Sequence, residues 1–344
     1  MGSNPQPPKR AITLADAERM LRSAGDLLAA GATERRIRQR VAEGVLVRIR
    51  RGHYATAEDW RRLWPEGRHL MRVLAVCRDA ATAPVLSHVS AAVVHGFPLY
   101  RLAPTRVHVT VPSPSHAASV PDVLRHELPL DDTDVVEIGP FRLTGLNRTA
   151  IDVARTLRLE AAQSIADAAL RRVAVTGHRQ DADAAGVWRE DLHYRLERLR
   201  GRPGVRRARD VVDFADGRAQ LPGESVSRLR LRRLGFREVQ LQVPVTGPGG
   251  NEFFIDFGLD EIDAYGEFDG MGKYVDPVLR GDKHIEETVL SEKRRADWVH
   301  GTTGRRMLRW ESEHIATVHS FAARLAAFGV PLTSDLQLDR RRLR

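Results

Sequence analysis

Two stretches in the C-terminal third, "NEFFIDFGL" (251–259) and "DAYGEFDG" (263–270), constrain the fold most tightly. Each alternates with period two, and a turn near "GLDEID" joins them, the pattern of two neighbouring strands. The alternation puts Phe254 and Asp256 on one face of the first strand. It puts Tyr265, Glu267 and Asp269 on one face of the second. Asp256 and Glu267 are 11 positions apart, close enough for adjacent antiparallel strands, so their carboxylates are expected to converge. Crowded carboxylates repel and resist ionisation, and a divalent cation relieves that repulsion. Hard oxygen donors suit Mg2+, with Mn2+ as a substitute. Such an ion activates water and offsets charge on a phosphate. Lys273 is placed to stabilise developing charge, and Glu224, on the preceding helix, to complete the acidic set. Each residue also has a plainer reading. Glu224 is a helix-start charge favoured by the macrodipole, and Asp256 a salt-bridged strand acid. Glu267 and Asp269 are strand-end acids paired with Lys273, and Arg294 and Arg295 a solvated helix face.

The 344-residue chain carries a formal charge of +9, mostly from arginine. Arginine's planar fork of donors suits phosphate, so a basic chain is a candidate nucleic-acid binder. A general enrichment in arginine would give the same total, and the location of the charge has to decide. From Thr33 to Arg51 stand Arg35, Arg36, Arg38, Arg40, Arg48, Arg50 and Arg51, against only Glu34 and Glu43. Thr33 is a suitable N-cap for a short helix ended by Gly44, and "VLVRIRRGHYA" reads as a strand hairpin. Helices, a basic helix and a basic hairpin describe a winged helix-turn-helix. Its helix would enter the major groove while the hairpin, His53 included, contacts the backbone. The competing expectation is a solvated basic helix.

The remaining segments divide the chain into a polar tail (1–10), the winged helix (11–58), a mixed α/β domain (59–180), a basic helix and linker (181–223), the acidic-strand domain (224–331) and a basic tail (332–344). Residues 12–31 read as helix punctuated by Gly25 and Gly31. "PVLSHVSAAVVHGFPL" reads as a helix from Ser87 to Gly96, "RVHVTVP" as a strand, and "FRLTGLNRTAIDVART" as a strand joined to a helix capped by Asn147 or Thr149. His88, His95 and His108 lack ligand spacing along one helix and are expected to be core or hydrogen-bonding residues. Seven arginines from Arg195 to Arg209 accompany one acid, Glu197, either tracking a phosphate backbone or solvating a connector. The single cysteine, Cys77, lies in an apolar run and is expected to be a structural thiol. One cysteine excludes an intramolecular disulfide and a cysteine-based zinc site, which suits a reducing cytoplasm. No apolar run reaches the ~18 residues of a membrane span, so no membrane partner is expected.

"ATERRIRQRVAEGVLVRIRRGHYA", "LSHVSAAVVHGFPL", "VHVTVP" and "LTGLNRTAIDVAR" together resemble AbiEi-type antitoxin-like proteins. That resemblance implies a winged helix before a mixed α/β domain, DNA binding, and operon autoregulation with a toxin partner. "ESVSRLR", "LQVPV", "FIDFGLDE", "GEFDGMGKY" and "EKRRADW" resemble, in order, a very-short-patch-repair-like endonuclease domain of the PD-(D/E)XK superfamily. On this resemblance Glu224 matches the helix acid, Asp256 the strand Asp and Glu267 the second-strand acid. Asp269 and Lys273 match the EFDG-x-x-KY pattern, Glu292, Lys293 and Arg295 the start of a helix, and Arg309 a final-strand arginine. The superfamily's Glu-x-Lys is Glu-x-Asp here, with the lysine at 273. The zinc-binding cysteines of the repair enzymes are missing.

The expected architecture is therefore α/β (α+β): a winged helix, a mixed α/β domain and a restriction-endonuclease-like α/β domain. The expected function is DNA binding with Mg2+-dependent endonuclease-like chemistry. The alternative is a non-catalytic antitoxin or regulator built on the same folds.

Overall fold

The computed structural model describes residues 11–111, 118–270 and 285–330, with side chains from 294 onward in the last stretch. Both tails and Lys273 lie outside the described residues, and the side chains of Glu292 and Lys293 do too. The chain forms a mixed α/β fold in two compact units, residues 1–157 with 194–208, and residues 158–193 with 209–344. No helix among the described residues is long and apolar enough to cross a membrane.

The first unit opens with α1 (Leu14–Met20), β1 (Arg22–Ser23), α2 (Ala24–Ala29), α3 (Glu34–Ala42), β2 (Leu46–Arg50) and β3 (His53–Thr56). The 12–31 segment is thus two helices split by a two-residue strand. Thr13 and Ser23 each form a capping box, and the second box starts α2 immediately after β1. Thr33 caps α3 by accepting from the Arg36 N–H, and Gly44 takes the left-handed conformation after it, φ +70°. β1 pairs antiparallel with β3, giving a three-stranded sheet in the order β1–β3–β2. β1 therefore closes the hairpin onto the helical segment, and the inward positions of β3, His53 and Ala55, are buried.

The same unit continues through α4 (Ala57–Arg62), α5 (Pro65–Asp79), β4 (Val85–Leu86), α6 (His88–Val94), β5 (Val107–Val111), β6 (Val123–Glu127), β7 (Val135–Ile138), β8 (Phe141–Thr144) and α7 (Leu146–Thr156). Its five strands run β6–β5–β4–β8–β7. The β5–β6 and β4–β8 pairs are parallel, while β4–β5 and β7–β8 are antiparallel. Met71, Leu86, Val109, Leu143 and Ile151 fill its core. α7 begins earlier than expected, with Gly145 as N-cap rather than Asn147 or Thr149. The Thr149 hydroxyl instead donates to the Thr144 carbonyl at 2.8 Å, inside the helix. Cys77 is half-buried, and burial pushes its thiol up to about 11, as a structural thiol requires.

The second unit starts at α8 (Leu159–Ala174) and the two-strand hairpin β9 (Val175–Thr176) and β10 (Arg179–Gln180). The segment expected as a basic helix and linker (181–223) holds two helices, α9 (Ala182–Arg198) and α10 (Val205–Phe214), of which residues 194–208 belong to the first unit. They bury Trp188, Leu192, Leu196, Val211 and Val212, which a solvated connector would leave in water. α11 (Pro222–Arg233) precedes β11 (Gln240–Thr246), β12 (Glu252–Leu259) and β13 (Ala264–Asp269). α12 (Ile285–Thr303), β14 (Arg306–Glu311) and α13 (Val318–Ala327) complete the described part. The sheet runs β11–β12–β13–β14: two antiparallel pairs, then a parallel pair that brackets α12. Two glycines permit its packing. A Cβ at Gly223 would stand 2.0 Å from the Phe268 ring, and one at Gly266 would stand 2.2 Å from Trp310. α11 and β13 approach only because the first is bare, and the buried Trp310 lies on β13 only because the second is.

Candidate functional site

In the second unit the acidic residues predicted from the strands come from elements that meet. The β12–β13 ladder includes Phe257 opposite Gly266, so the next facing positions are Asp256 and Glu267. Here the strands part, and Asp256 Oδ2 accepts the Phe268 N–H at 2.9 Å in place of a ladder bond. Glu267 sits opposite Arg309 across the parallel β13–β14 ladder. On the other side, Leu241 faces Phe257 and Val243 faces Ile255, which sets Gln242 opposite Asp256. One polar residue from each of four strands thus lines a single row: Gln242, Asp256, Glu267 and Arg309.

Both oxygens of Glu267 are engaged. Arg295 Nη2 lies 3.1 Å from Oε1, and Arg309 Nη2 lies 3.1 Å from Oε2. Arg309 also reaches Asp269 at 3.8 Å. Arg295, which the sequence left open as part of a solvated helix face, turns inward and donates to the Phe254 carbonyl at 2.6 Å. Its Nε is shielded from water and has no hydrogen-bond partner among the described residues. Glu224, in the first turn of α11, is buried, and its Oε2 accepts the Gln220 N–H at 2.7 Å. That bond satisfies a backbone donor just before the helix. Among the described residues Glu224, Asp256, Glu267 and Asp269 do not supply three ligand oxygens within 4.8 Å of one another. The structure therefore brings Asp256 and Glu267 to facing strand positions without gathering three of the four carboxylates into one cluster.

Sequence reasoning missed three residues here. His178, in the turn between β9 and β10, stacks on Phe254 with ring centroids 3.9 Å apart. Its Nδ1 lies 2.8 Å from Gln242 Oε1 and 2.8 Å from Gln220 Nε2. Gln220 Nε2 also donates to Gln242 Oε1 at 2.9 Å. Gln242 is buried and holds φ +52°, a conformation that a residue in a regular strand does not adopt. No local motif announces these residues, because they lie 42 and 64 positions apart in the bonded pairs.

In the first unit α3 and the β2–β3 hairpin present Arg35, Arg36, Arg38, Arg48 and Arg51 to solvent, with Arg40 half-buried. Arg38 pairs loosely with Glu34 at 3.6 Å, and Arg36 donates to Gln39 at 3.2 Å. Arg35, Arg40, Arg48 and Arg51 have no side-chain partner among the described residues. Two members of the predicted basic surface are placed otherwise. His53 is buried, with Nε2 2.8 Å from Asp79 Oδ1. Arg50 Nε bridges Asp79 at 3.2 Å and Asp122 at 3.1 Å. Strand alternation explains the first, because His53 shares the inward face with Ala55.

The histidine expectation holds for His95, whose Nε2 lies 2.8 Å from the Thr144 carbonyl oxygen. It holds for His88 and His108 as well: His88 is buried with Nδ1 3.0 Å from the Ser87 hydroxyl, and His108 Nδ1 lies 3.1 Å from Nε2 of His126, a third histidine that the sequence reading had not singled out and with which the two gather.

No protein-family model matches the chain. Two proteins of Mycobacterium tuberculosis are similar to it: the uncharacterized protein Rv2248 of strain H37Rv and the uncharacterized protein MT2308 of strain CDC 1551 / Oshkosh. Each is 32% identical over 130 residues, which is 38% of this chain and 44% of the relative. The chain thus spans less than half the length of these curated relatives.

Proposed function

We propose that this chain is a DNA-binding protein with an endonuclease-like second unit. The observation that carries the reading is the pair α3 and β2–β3, a helix and a hairpin whose exposed Arg35, Arg48 and Arg51 have no side-chain partner among the described residues, in a sheet ordered β1–β3–β2. A helix of this kind suits the major groove, and Arg48 and Arg51 on the hairpin suit phosphates. Fluorescence anisotropy with duplex DNA across a salt series tests it. The expected result is a steep loss of affinity with salt, and a flatter slope for Arg35→Ala, Arg48→Ala and Arg51→Ala. Binding unchanged in the triple variant overturns the reading.

For the second unit, the order α11, three antiparallel strands, α12 and a parallel fourth strand supports the nuclease-like reading. Asp256 and Glu267 offer hard oxygens from facing strand positions. Mg2+ is commonly held by one or two carboxylates together with phosphate oxygens, so the donor set fits that ion in kind, and Mn2+ with it. When bound there, such an ion supplies activation of water and charge stabilisation at phosphorus. The chain's own residues bind and orient. The unused Nε donor of Arg295 suits a phosphate oxygen, and Arg309 fixes the Glu267 carboxylate. Incubation of plasmid with Mg2+ or Mn2+ tests the chemistry, with nicking expected from wild type and lost in Asp256→Ala and Glu267→Ala.

A second reading is favoured by one observation: both Glu267 oxygens are already taken by arginine. On it the unit is a binding platform, and the chain is an AbiEi-like antitoxin or transcriptional regulator with a toxin partner. DNA retained without cleavage by wild type and by both variants selects this reading.

A further inference from the structure

We propose that His88, His108 and His126 form a binding site for a divalent transition metal, Zn2+ first, with three imidazole ligands and one open position. Their ligand nitrogens all lie within 4.8 Å of one another, and no other group of three potential ligands does so among the described residues. The residues come from three elements. His88 is the first residue of α6, while His108 lies on β5 and His126 on β6. The parallel register sets Thr110 opposite His126, and His108 is two residues before Thr110, so all three share one face of the sheet.

The geometry is close to what a zinc ion needs. His126 Nε2 and His108 Nδ1 stand 3.1 Å apart. Zinc–nitrogen bonds of about 2.0–2.1 Å at tetrahedral angles give nitrogen separations of about 3.3 Å. The His88 ring stacks on His126 with centroids 3.7 Å apart, so the two rings have to splay by a rotation of the side chains for both to ligate one tetrahedral ion. His88 Nδ1 is 3.0 Å from the Ser87 hydroxyl, which leaves Nε2 as its ligand nitrogen. A hydrogen bond on the far nitrogen is how metal-bound histidines are oriented. His88 also holds φ +51°, a left-handed conformation uncommon for a residue with a Cβ.

The protonation states agree with this. Burial holds all three imidazoles neutral, with His108 lowered to about 3 and His126 to about 4, and His88 is lowered as well. The charges facing the group are Arg106, Arg148 and Arg155, with His69 beside His108, and they lower the values further. Neutral imidazole is the form that binds metal.

The fourth position has its own observation. The Thr110 hydroxyl is buried and has no hydrogen-bond partner among the described residues. A buried hydroxyl without a partner calls for one, and a water or hydroxide on the metal would supply it. Three neutral ligands and the surrounding guanidinia favour an anion there. Imidazole ligands select Zn2+ and its late first-row neighbours over Mg2+, which takes oxygen.

The full chain, without a polyhistidine tag, stripped by chelator and reloaded, tests the site. One Zn2+ per chain is expected by elemental analysis after gel filtration, and Co2+ in its place should give the visible bands of a tetrahedral centre. His108→Gln and His126→Gln should lose both while keeping their far-UV circular dichroism. Ser87→Ala should bind about 10–100-fold more weakly. Folded wild type that retains neither metal stoichiometrically, or histidine variants that bind as wild type does, would overturn the proposal. Should the variants fail to fold, the wild-type Co2+ spectrum decides alone: tetrahedral bands support the site, and their absence removes it.

Discussion

Two runs of arginine, "RRIRQR" on α3 and "RLRLRR" on α11, have nearly the same composition and opposite fates. On α3 only Ile37 is buried, and Arg35, Arg36 and Arg38 are exposed. On α11 every residue from Gly223 to Leu231 is buried. Arg228 lies 3.1 Å from Asp167, donates to the Phe214 carbonyl at 2.7 Å and sits over the Phe214 ring. Arg230 bonds Glu160 at 2.9 Å and the carbonyls of Ile315 and Ala316 at 3.1 and 3.2 Å. A guanidinium taken out of water needs an acceptor for nearly every N–H, and α11 has buried ones where α3 offers only the exposed Glu34 and Gln39. Charge left in water is available to a ligand, whereas charge already matched inside the protein holds the fold.

This contrast breaks most visibly at Arg228. Arg228→Ala leaves Asp167 buried without its cation, and a loss of about 3–5 kcal/mol is expected, read by denaturant melts. Burial already raises the Asp167 carboxyl despite Arg228, and the donors that would remain, Gln163 Nε2 at 2.8 Å and the Asp216 N–H at 3.0 Å, carry no charge to replace the guanidinium. A loss no larger than that of a surface substitution would place Arg228 with the α3 arginines and sink the distinction.

The next effect tests buried against solvated charge in the histidines. Burial lowers His69 to about 4, so at pH 6 the folded state keeps it neutral while the unfolded chain begins to protonate it. Its folded value lies below its unfolded one, so its contribution is present above pH 6.5 and is lost as pH falls toward 4. His69 alone accounts for about 3 kcal/mol over that window. His108 and His126 act in the same direction. Equilibrium melts at pH 7, 5.5 and 4.5 measure it, and a flat profile would refute the burial argument.

On α3 the effect moves from stability to binding. Arg35→Ala should change stability by no more than about 0.5 kcal/mol while lowering the salt slope of DNA binding by about one. A stability loss without a binding loss would make α3 a structural helix like α11. Smallest of all, Glu34→Gln removes the Arg38 partner, and the exposed pair should leave the melting temperature unchanged.

Much of this was legible in local sequence, and the limits are physical. Thr33, Gly44 and the alternation in "VLVRIRR" gave the helix, its stop and the hairpin because caps and period-two patterns act within a few residues. "IDFG" and "YGEFDG" likewise gave strands with acids on one face. The short β1 escaped notice because two residues have no period, and it forms only by pairing with β3. The bond of Glu224 to Gln220 and the bond of Asp256 to the Phe268 N–H could not be read in advance, since both depend on how the backbone of one segment approaches the side chain of another.

The sequence by itself determined the capped helix α3, the hairpin after it and the paired strands β12 and β13, which residues carry charge, and that Asp256 and Glu267 would take facing positions. Only the tertiary structure decided which charges meet water, that His88, His108 and His126 converge across 38 residues of chain, and that Glu267 lies between two arginines. Local preference is set by neighbours within a helical turn or a strand pair. Burial and partner choice are set by elements that the chain brings together from far apart, and a single sequence does not record those distances.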